Sequence, residues 1–300
     1  MSTPSTKRII LTEREEREKV RAAQLSILAA AFLIALKTLT GFLTGSISVW
    51  ASLLDSAMDI FASTINLIAV RAASRPADED HAYGHGKAES LAGLFQSLVI
   101  AASGIYLIWE ASRRIAGPHT TSYEWIGMAT MLIATATSIA LVKRLQRVSR
   151  ETDSLALHSD ALHYLTDIYT NMSALVALLI VRLSGWQAAD PLISILIALY
   201  ILWSAVHVAR ESIDVLMDRR LPPEIDEQVA EIVGRFRHEG VYGFHDLRTR
   251  RSGSQKFIDL HLEVERDQRL EEAHDLTVRV LRAIEAEIPR ARVQIHTDPK

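Results

Sequence analysis

Six stretches of this chain are each long and apolar enough to cross a lipid bilayer, and that length decides the class of fold. A spanning helix needs about 20 mostly apolar residues. The stretches fall at roughly 22–44, 48–72, 89–112, 125–142, 157–182 and 190–208. Hydrocarbon offers no water to backbone N–H and C=O groups, so each stretch is expected to satisfy them internally as an α-helix. Averages hide this pattern. Hydrophobic residues make up 49% of the chain and charged residues 23%, because residues 210–300 form a charged piece that dilutes the apolar runs. The expected division is a tail at 1–21, a six-helix transmembrane domain at 22–209 and a soluble domain at 210–300. The first 21 residues mix Glu13, Glu15, Glu16 and Glu18 with Arg14, Arg17, Lys19 and Arg21. That is neither a secretory signal nor a transit peptide.

Lysine and arginine set the expected orientation. One set of segments carries Lys7, Arg8, Arg14, Arg17, Lys19 and Arg21, then Arg71, Arg75 and Lys87, then Lys143, Arg144, Arg147 and Arg150, then Arg210, Arg219 and Arg220. The opposite loops carry Arg113, Arg114 and Arg182. Both termini and the 73–87 and 143–156 loops are therefore expected in the cytoplasm. Trp50, Trp109, Trp125 and Trp186 fall near the expected outer ends. After Leu221-Pro222-Pro223, residues 223–237 have helical spacing. Segments 241–250 and 256–264 read as strands joined by Ser252-Gly253-Ser254. Residues 269–287 read as a helix, and Val293 and Ile295 mark a last strand. The order is α-β-β-α-β, a small α+β domain.

Ionisable groups inside a membrane cost about 2.5–3.5 kcal/mol each on insertion scales, so each one points to function. Asp55 and Asp59 lie in the second stretch, His163 and Asp167 in the fifth. Both pairs have i, i+4 spacing, which puts two side chains on one helix face. Like charges on one face repel, and a cation between the helices relieves them. Three carboxylates and one imidazole suit tetrahedral Zn²⁺, with Fe²⁺, Cd²⁺ and Co²⁺ also compatible. The chain has no cysteine, so thiolate sites, disulfides and iron–sulfur clusters are excluded. A net charge of −3 without a basic stripe gives no sign of nucleic-acid binding.

Two further groups have ligand chemistry. Asp78, His81 and His85 sit in the loop Pro-Ala-Asp-Glu-Asp-His-Ala-Tyr-Gly-His-Gly-Lys at 76–87. They read either as a second metal site or as an ordinary polar loop. In the soluble domain, His245, His261, His274, His296 and Asp298 fall on expected edges or polar faces. Strand alternation puts His296 and Asp298 on one face.

The chain resembles the cation diffusion facilitators of the bacterial zinc and ferrous-iron efflux type. The resemblance runs from about residue 20 to the end. It rests on Asp55-x-x-x-Asp59, on Asp78 to His81-Ala-Tyr-Gly-His85-Gly-Lys-Ala-Glu, on His163-x-x-x-Asp167, on Gly243-Phe-His245-Asp-Leu-Arg and on Ile295-His296-Thr-Asp298-Pro. It implies a homodimer in the bacterial inner membrane, with six membrane helices per subunit and a metallochaperone-like cytoplasmic domain. It implies that Asp55, Asp59, His163 and Asp167 form the transport site and that Asp78, His81 and His85 bind metal in the loop. By the same resemblance, His245, His261, His274, His296 and Asp298 hold a two-metal site at the dimer interface. Lys87 is implied to pair with Asp218. Thr297 departs from the pattern, since close relatives tend to carry Gln there.

The expected activity is divalent metal efflux, Zn²⁺ foremost, by metal–proton antiport with no organic cofactor. Metal binding needs neutral imidazole and ionised carboxylates, so it displaces protons. The competing classes are an intramembrane metalloenzyme and a metal sensor without transport. The enzyme is disfavoured because four protein ligands leave no coordination position for water.

Overall fold

The computed structural model describes residues 4–44, 47–116, 125–184, 186 and 188–300. Side chains are described from residue 13 onward, except at 44–55, 114–125, 127, 178, 181, 182, 185 and 187. Asp55, Trp50, Trp125, Arg114 and Arg182 lie outside the described side chains. The chain forms two compact units, Met1–Ile213 and Asp214–Lys300.

The first unit is built from six long helices: α1 (Pro4–Thr44), α2 (Ile47–Ala73), α3 (Lys87–Ala116), α4 (Trp125–Thr152), α5 (Leu155–Ser184) and α6 (Ala189–Leu216). Among the described residues, α1, α3, α4 and α6 contain spans long and apolar enough to cross a membrane. The other two, α2 and α5, carry the acids and histidines singled out above. This is a helical transmembrane domain. Large apolar side chains face outward, among them Leu98, Leu196 and Trp203, as lipid-facing residues do. Small and polar residues pack inside instead. Gly93 and Gly104 of α3 make way for α6: a Cβ at Gly104 would sit 3.0 Å from Leu202 Cγ and 3.2 Å from Ile201 Cγ2. Close backbone approach at small residues is the usual basis of membrane helix association.

The expected 143–156 loop is a correction. Helix α4 continues to Thr152, and α5 starts at Leu155. Residues 143–152 hold no Gly or Pro, and they are amphipathic. Leu145 and Val148 are fully buried, while the arginines lie along the other sides. The turn is only Asp153 and Ser154. Asp153 takes φ 52°, a conformation that Asp tolerates better than most side chains. The Ser154 hydroxyl accepts from the Leu157 N–H at 3.4 Å and so caps α5.

The second unit contains α7 (Pro223–Gly234), a 3₁₀ turn at Arg237–Glu239, β1 (Val241–Ser252), β2 (Gln255–Val264), α8 (Leu270–Glu287) and β3 (Ala291–Pro299). Pro223 opens α7, where a missing N–H costs nothing. The sheet order is β1-β2-β3. β1 and β2 form an antiparallel hairpin, turned through Gly253 at φ 57°. β3 returns parallel to β2 after the α8 crossover. Ile258, Leu260, Leu262 and Val264 point into a core shared with Val229, Ile232 and Val233 of α7 and Leu276, Val280 and Ile284 of α8. Phe257 lies on the other face of β2. It is buried on the polar face because the Arg250 guanidinium lies over its ring, 4.5 Å from the centroid.

Candidate metal sites

Asp59 and His163 come from different helices and meet inside the bundle. The His163 Nε2 lies 2.9 Å from Asp59 Oδ1. Asp59 is 9% exposed and His163 3%. Asp167 joins them: one ligand atom from each of Asp59, His163 and Asp167 lies within 4.8 Å of the others. The local reason is helical periodicity. Asp167 is four residues beyond His163 on α5, so both face α2. Asp55 occupies the matching position on α2, four residues before Asp59, and its side chain is outside the described set.

A polar seam continues from this group along α1, α2 and α5. Ser63 and Tyr164 hydroxyls lie 3.1 Å apart, and the Tyr164 hydroxyl donates to the Ser26 carbonyl at 3.1 Å. The Ser26 hydroxyl donates to Asp160 Oδ2 at 2.5 Å. Asp160 is fully buried. Lys37 donates to the Ser56 hydroxyl at 2.7 Å. A third buried charge set lies elsewhere in the bundle. The Lys19 Nζ is 2.7 Å from Glu16 Oε1 and 3.1 Å from Glu89 Oε1. Ser154 donates to Glu89 Oε2 at 2.6 Å. Asp160, Lys37 and the Lys19–Glu89 pair were missed in the sequence. The signal was present for Asp160, Lys37 and Glu89, since each is an ionisable residue inside an apolar stretch.

In the loop, Asp78 is the centre. Its Oδ1 accepts from the His81 backbone N–H at 2.7 Å and lies 3.1 Å from His81 Nδ1. Its Oδ2 is 3.4 Å from His85 Nε2. The His81 and His85 rings are 4.3 Å apart. The Gly84 backbone, at φ 80°, lets the loop turn back between the two rings. The His81 N–H holds the Asp78 carboxyl below its ordinary pKa, with smaller contributions from the two imidazoles.

Strand register builds the third group. His245 pairs with His261, and His261 pairs with His296, so three imidazoles stand in one row across the sheet. Their ring centroids are 5.0 and 4.7 Å apart. Asp298, two residues beyond His296, reaches all three: 3.1 Å from His245 Nε2, 2.9 Å from His261 Nδ1 and 3.2 Å from His296 Nε2. The hydrogen bond from His261 lowers the pKa of the Asp298 carboxyl. His274 is exposed in the first turns of α8, and among the described residues it joins no such group. The Thr297 hydroxyl lies 3.0 Å from that of Thr277 on α8. Asp218 accepts from Arg250 at 3.4 Å. All three sets are N/O donors with negative charge, the chemistry of borderline divalent metals.

Two family descriptions cover nearly the whole chain. The cation efflux transmembrane domain matches residues 23–217, and the cation efflux protein cytoplasmic domain matches residues 221–300. The chain belongs to this family. It is a bacterial cation diffusion facilitator, a membrane protein for divalent metal cation efflux and not an enzyme. The cation-efflux pump FieF of Yersinia pestis (strain Pestoides F) is 42% identical over 281 residues, 93% of each chain. The protein of the same name from Yersinia pseudotuberculosis serotype I (strain IP32953) matches equally. A solved chain named CzrB, proposed as a zinc transporter and obtained in a Zn form, is 37% identical. It covers 28% of this chain and 93% of its own, with a TM-score of 0.26.

Proposed function

We propose that this facilitator exports Zn²⁺, with Fe²⁺, Cd²⁺ and Co²⁺ as further substrates, by exchange for protons in a homodimer. The observation that carries the reading is the buried meeting of Asp59, His163 and Asp167 within 4.8 Å. Asp55 completes this set as the fourth ligand of the transport site. Metal arriving from the cytoplasm displaces protons from the imidazole and carboxylates, and protons from the far side favour its release there. Alternating access moves the ion with no covalent chemistry.

The Asp78–His81–His85 group serves as a loop site for the same class of ion. The His245–His261–His296–Asp298 group, with His274 supplied across the interface, holds the regulatory two-metal site. Metal bound there supplies cross-links between two tail domains. The donors present fit it: Asp298 offers two oxygens to three imidazoles. Residues 1–21 form the cytoplasmic tail, 22–209 the transport domain and 210–300 the regulatory domain. Lys87 and Asp218 act as a structural interlock. Both termini lie in the cytoplasm and the bundle in the inner membrane. The cysteine-free chain makes this checkable with single-cysteine variants and an impermeant thiol reagent.

The direct test is flux in proteoliposomes under an imposed pH gradient, comparing Zn²⁺, Fe²⁺, Cd²⁺ and Mn²⁺. Asp167→Ala is expected to lower Zn²⁺ flux by about 100-fold or more, since loss of a group that only orients a metal ligand already costs about 10–100-fold. Undiminished proton-dependent flux in that variant removes the transport-site assignment.

A further inference from the structure

The outward face of α4 changes character abruptly near its end. Leu132 is 54% exposed and Ile139 39%, and Ala136 between them is exposed as well. Continuing the same row in steps of three and four residues come Lys143, Arg147 and Arg150, all exposed. Such steps keep side chains on one side of a helix. The other side of these turns is buried: Leu141, Val142, Leu145 and Val148 belong to the core that also holds Leu157 and Ala161 of α5. Helix α4 therefore presents one continuous outward row, apolar as far as Ile139 and cationic from Lys143.

Arg144, on the flank, is neutralised: it pairs with Glu18 of α1, which also holds Arg21 at 3.2 Å. The row itself is not. Among the described residues, none of Lys143, Arg147 and Arg150 forms an ion pair. Glu151 is the one acidic residue between Lys143 and Thr152, so the row sets three cations against a single carboxylate at its edge. A topological bias asks only for lysine or arginine near the helix end. It does not ask for them to be unpaired and in line with the lipid-facing side chains. Like charges on one face repel, and phosphate oxygens at that level supply the missing counter-charge.

We propose that Lys143, Arg147 and Arg150 form a docking site for an anionic glycerophospholipid, whose acyl chain lies along Leu132, Ala136 and Ile139. The cationic part covers about 10 Å of helix, and a headgroup layer is about 5–8 Å deep. A lipid seated on the apolar part thus brings its phosphate beside Lys143 and Arg147, with Arg150 at the water edge. A zwitterionic headgroup fits less well, because its ammonium needs a carboxylate and the row offers only Glu151. The site depends on the membrane placement of the bundle, but neither on the transported ion nor on the direction of transport.

The experiment uses the full-length protein in detergent, titrated with phosphatidylglycerol or phosphatidylcholine, with bound lipid and oligomeric state read by native mass spectrometry. The unaltered protein is expected to bind phosphatidylglycerol at least about 10-fold more tightly than phosphatidylcholine, since each basic residue near an anionic surface is worth about 5-fold. Lys143→Gln, Arg147→Gln and Arg150→Gln together are expected to abolish that preference. Arg147→Gln alone is expected to reduce it about 5-fold, which keeps the site testable if the triple variant does not fold. Equal binding of the two lipids by the unaltered protein, or a preference kept in both variants, overturns the site. Displacement of the lipid by an equal concentration of inorganic phosphate overturns the lipid assignment. Loss of dimer in the triple variant with the preference intact marks the face as a contact between copies, and overturns it too.

Discussion

Asp298 touches three imidazoles, so its charge matters more than its position at the chain's end suggests. Its pKa lies below the usual carboxylate value, because His261 hydrogen-bonds it and the other histidines add positive charge nearby. A depressed carboxyl pKa gives stability that is present above the unfolded value and lost as pH falls through the folded one. At neutral pH and down to about 5 the carboxylate therefore stays ionised and open to a cation. Asp298→Asn is expected to lower Zn²⁺ affinity at every pH from 5 to 8, because a neutral amide replaces an ionised carboxylate that reaches three imidazoles. Zn²⁺ titrations across that range are the measurement, and an affinity unchanged by the substitution counts against the argument. At this scale the sequence was readable wherever spacing is fixed by one element. The i, i+4 spacing singled out Asp59, His163 and Asp167 as candidates, whereas Asp160 was passed over because its partner Ser26 comes from another helix, a pairing that only packing creates.

Helices α1, α3 and the α4–α5 turn are tied by Lys19, Glu89 and Ser154. Removing one member of a buried ion pair leaves an uncompensated charge and costs about 3–5 kcal/mol. Lys19→Met is expected to lower the thermal stability of the detergent-solubilised protein sharply, and adding Glu89→Gln is expected to restore most of it. Equal stabilities for the single and double variants mean that the pair does not hold these elements together. Between α3 and α6, Gly104 leaves no room for a side chain. Gly104→Leu is expected to destabilise by about 1–3 kcal/mol through overpacking, with Gly104→Ala milder, as thermal unfolding reports. Element types were legible because a run of 20 apolar residues has one solution in lipid. Their ends were less so. The basic residues at 143–150 signal a cytoplasmic loop by charge, yet buried Leu145 and Val148 keep α4 helical to Thr152.

For the whole molecule, the two units carry different parts of the proposed cycle: the bundle moves the ion, and the tail reports its abundance. If metal joins two tails, stripping it with a chelator is expected to shift the protein toward monomer in light scattering. Asp298→Ala is expected to sit at that shifted position with or without Zn²⁺. A dimer fraction unaffected by both treatments rejects the bridging role. The two-domain plan was visible as a change of composition near residue 210, whereas the meeting of His245, His261 and His296 needed the register of both strand pairs. That register has a consequence of its own. Slipping a strand by one residue sends its side chains to the opposite face, so a row of ligands that crosses three strands exists only when both pairings are correct. Metal capture at the proposed tail site is thus also a proofreading step: it rewards the properly threaded sheet and ignores every misaligned one.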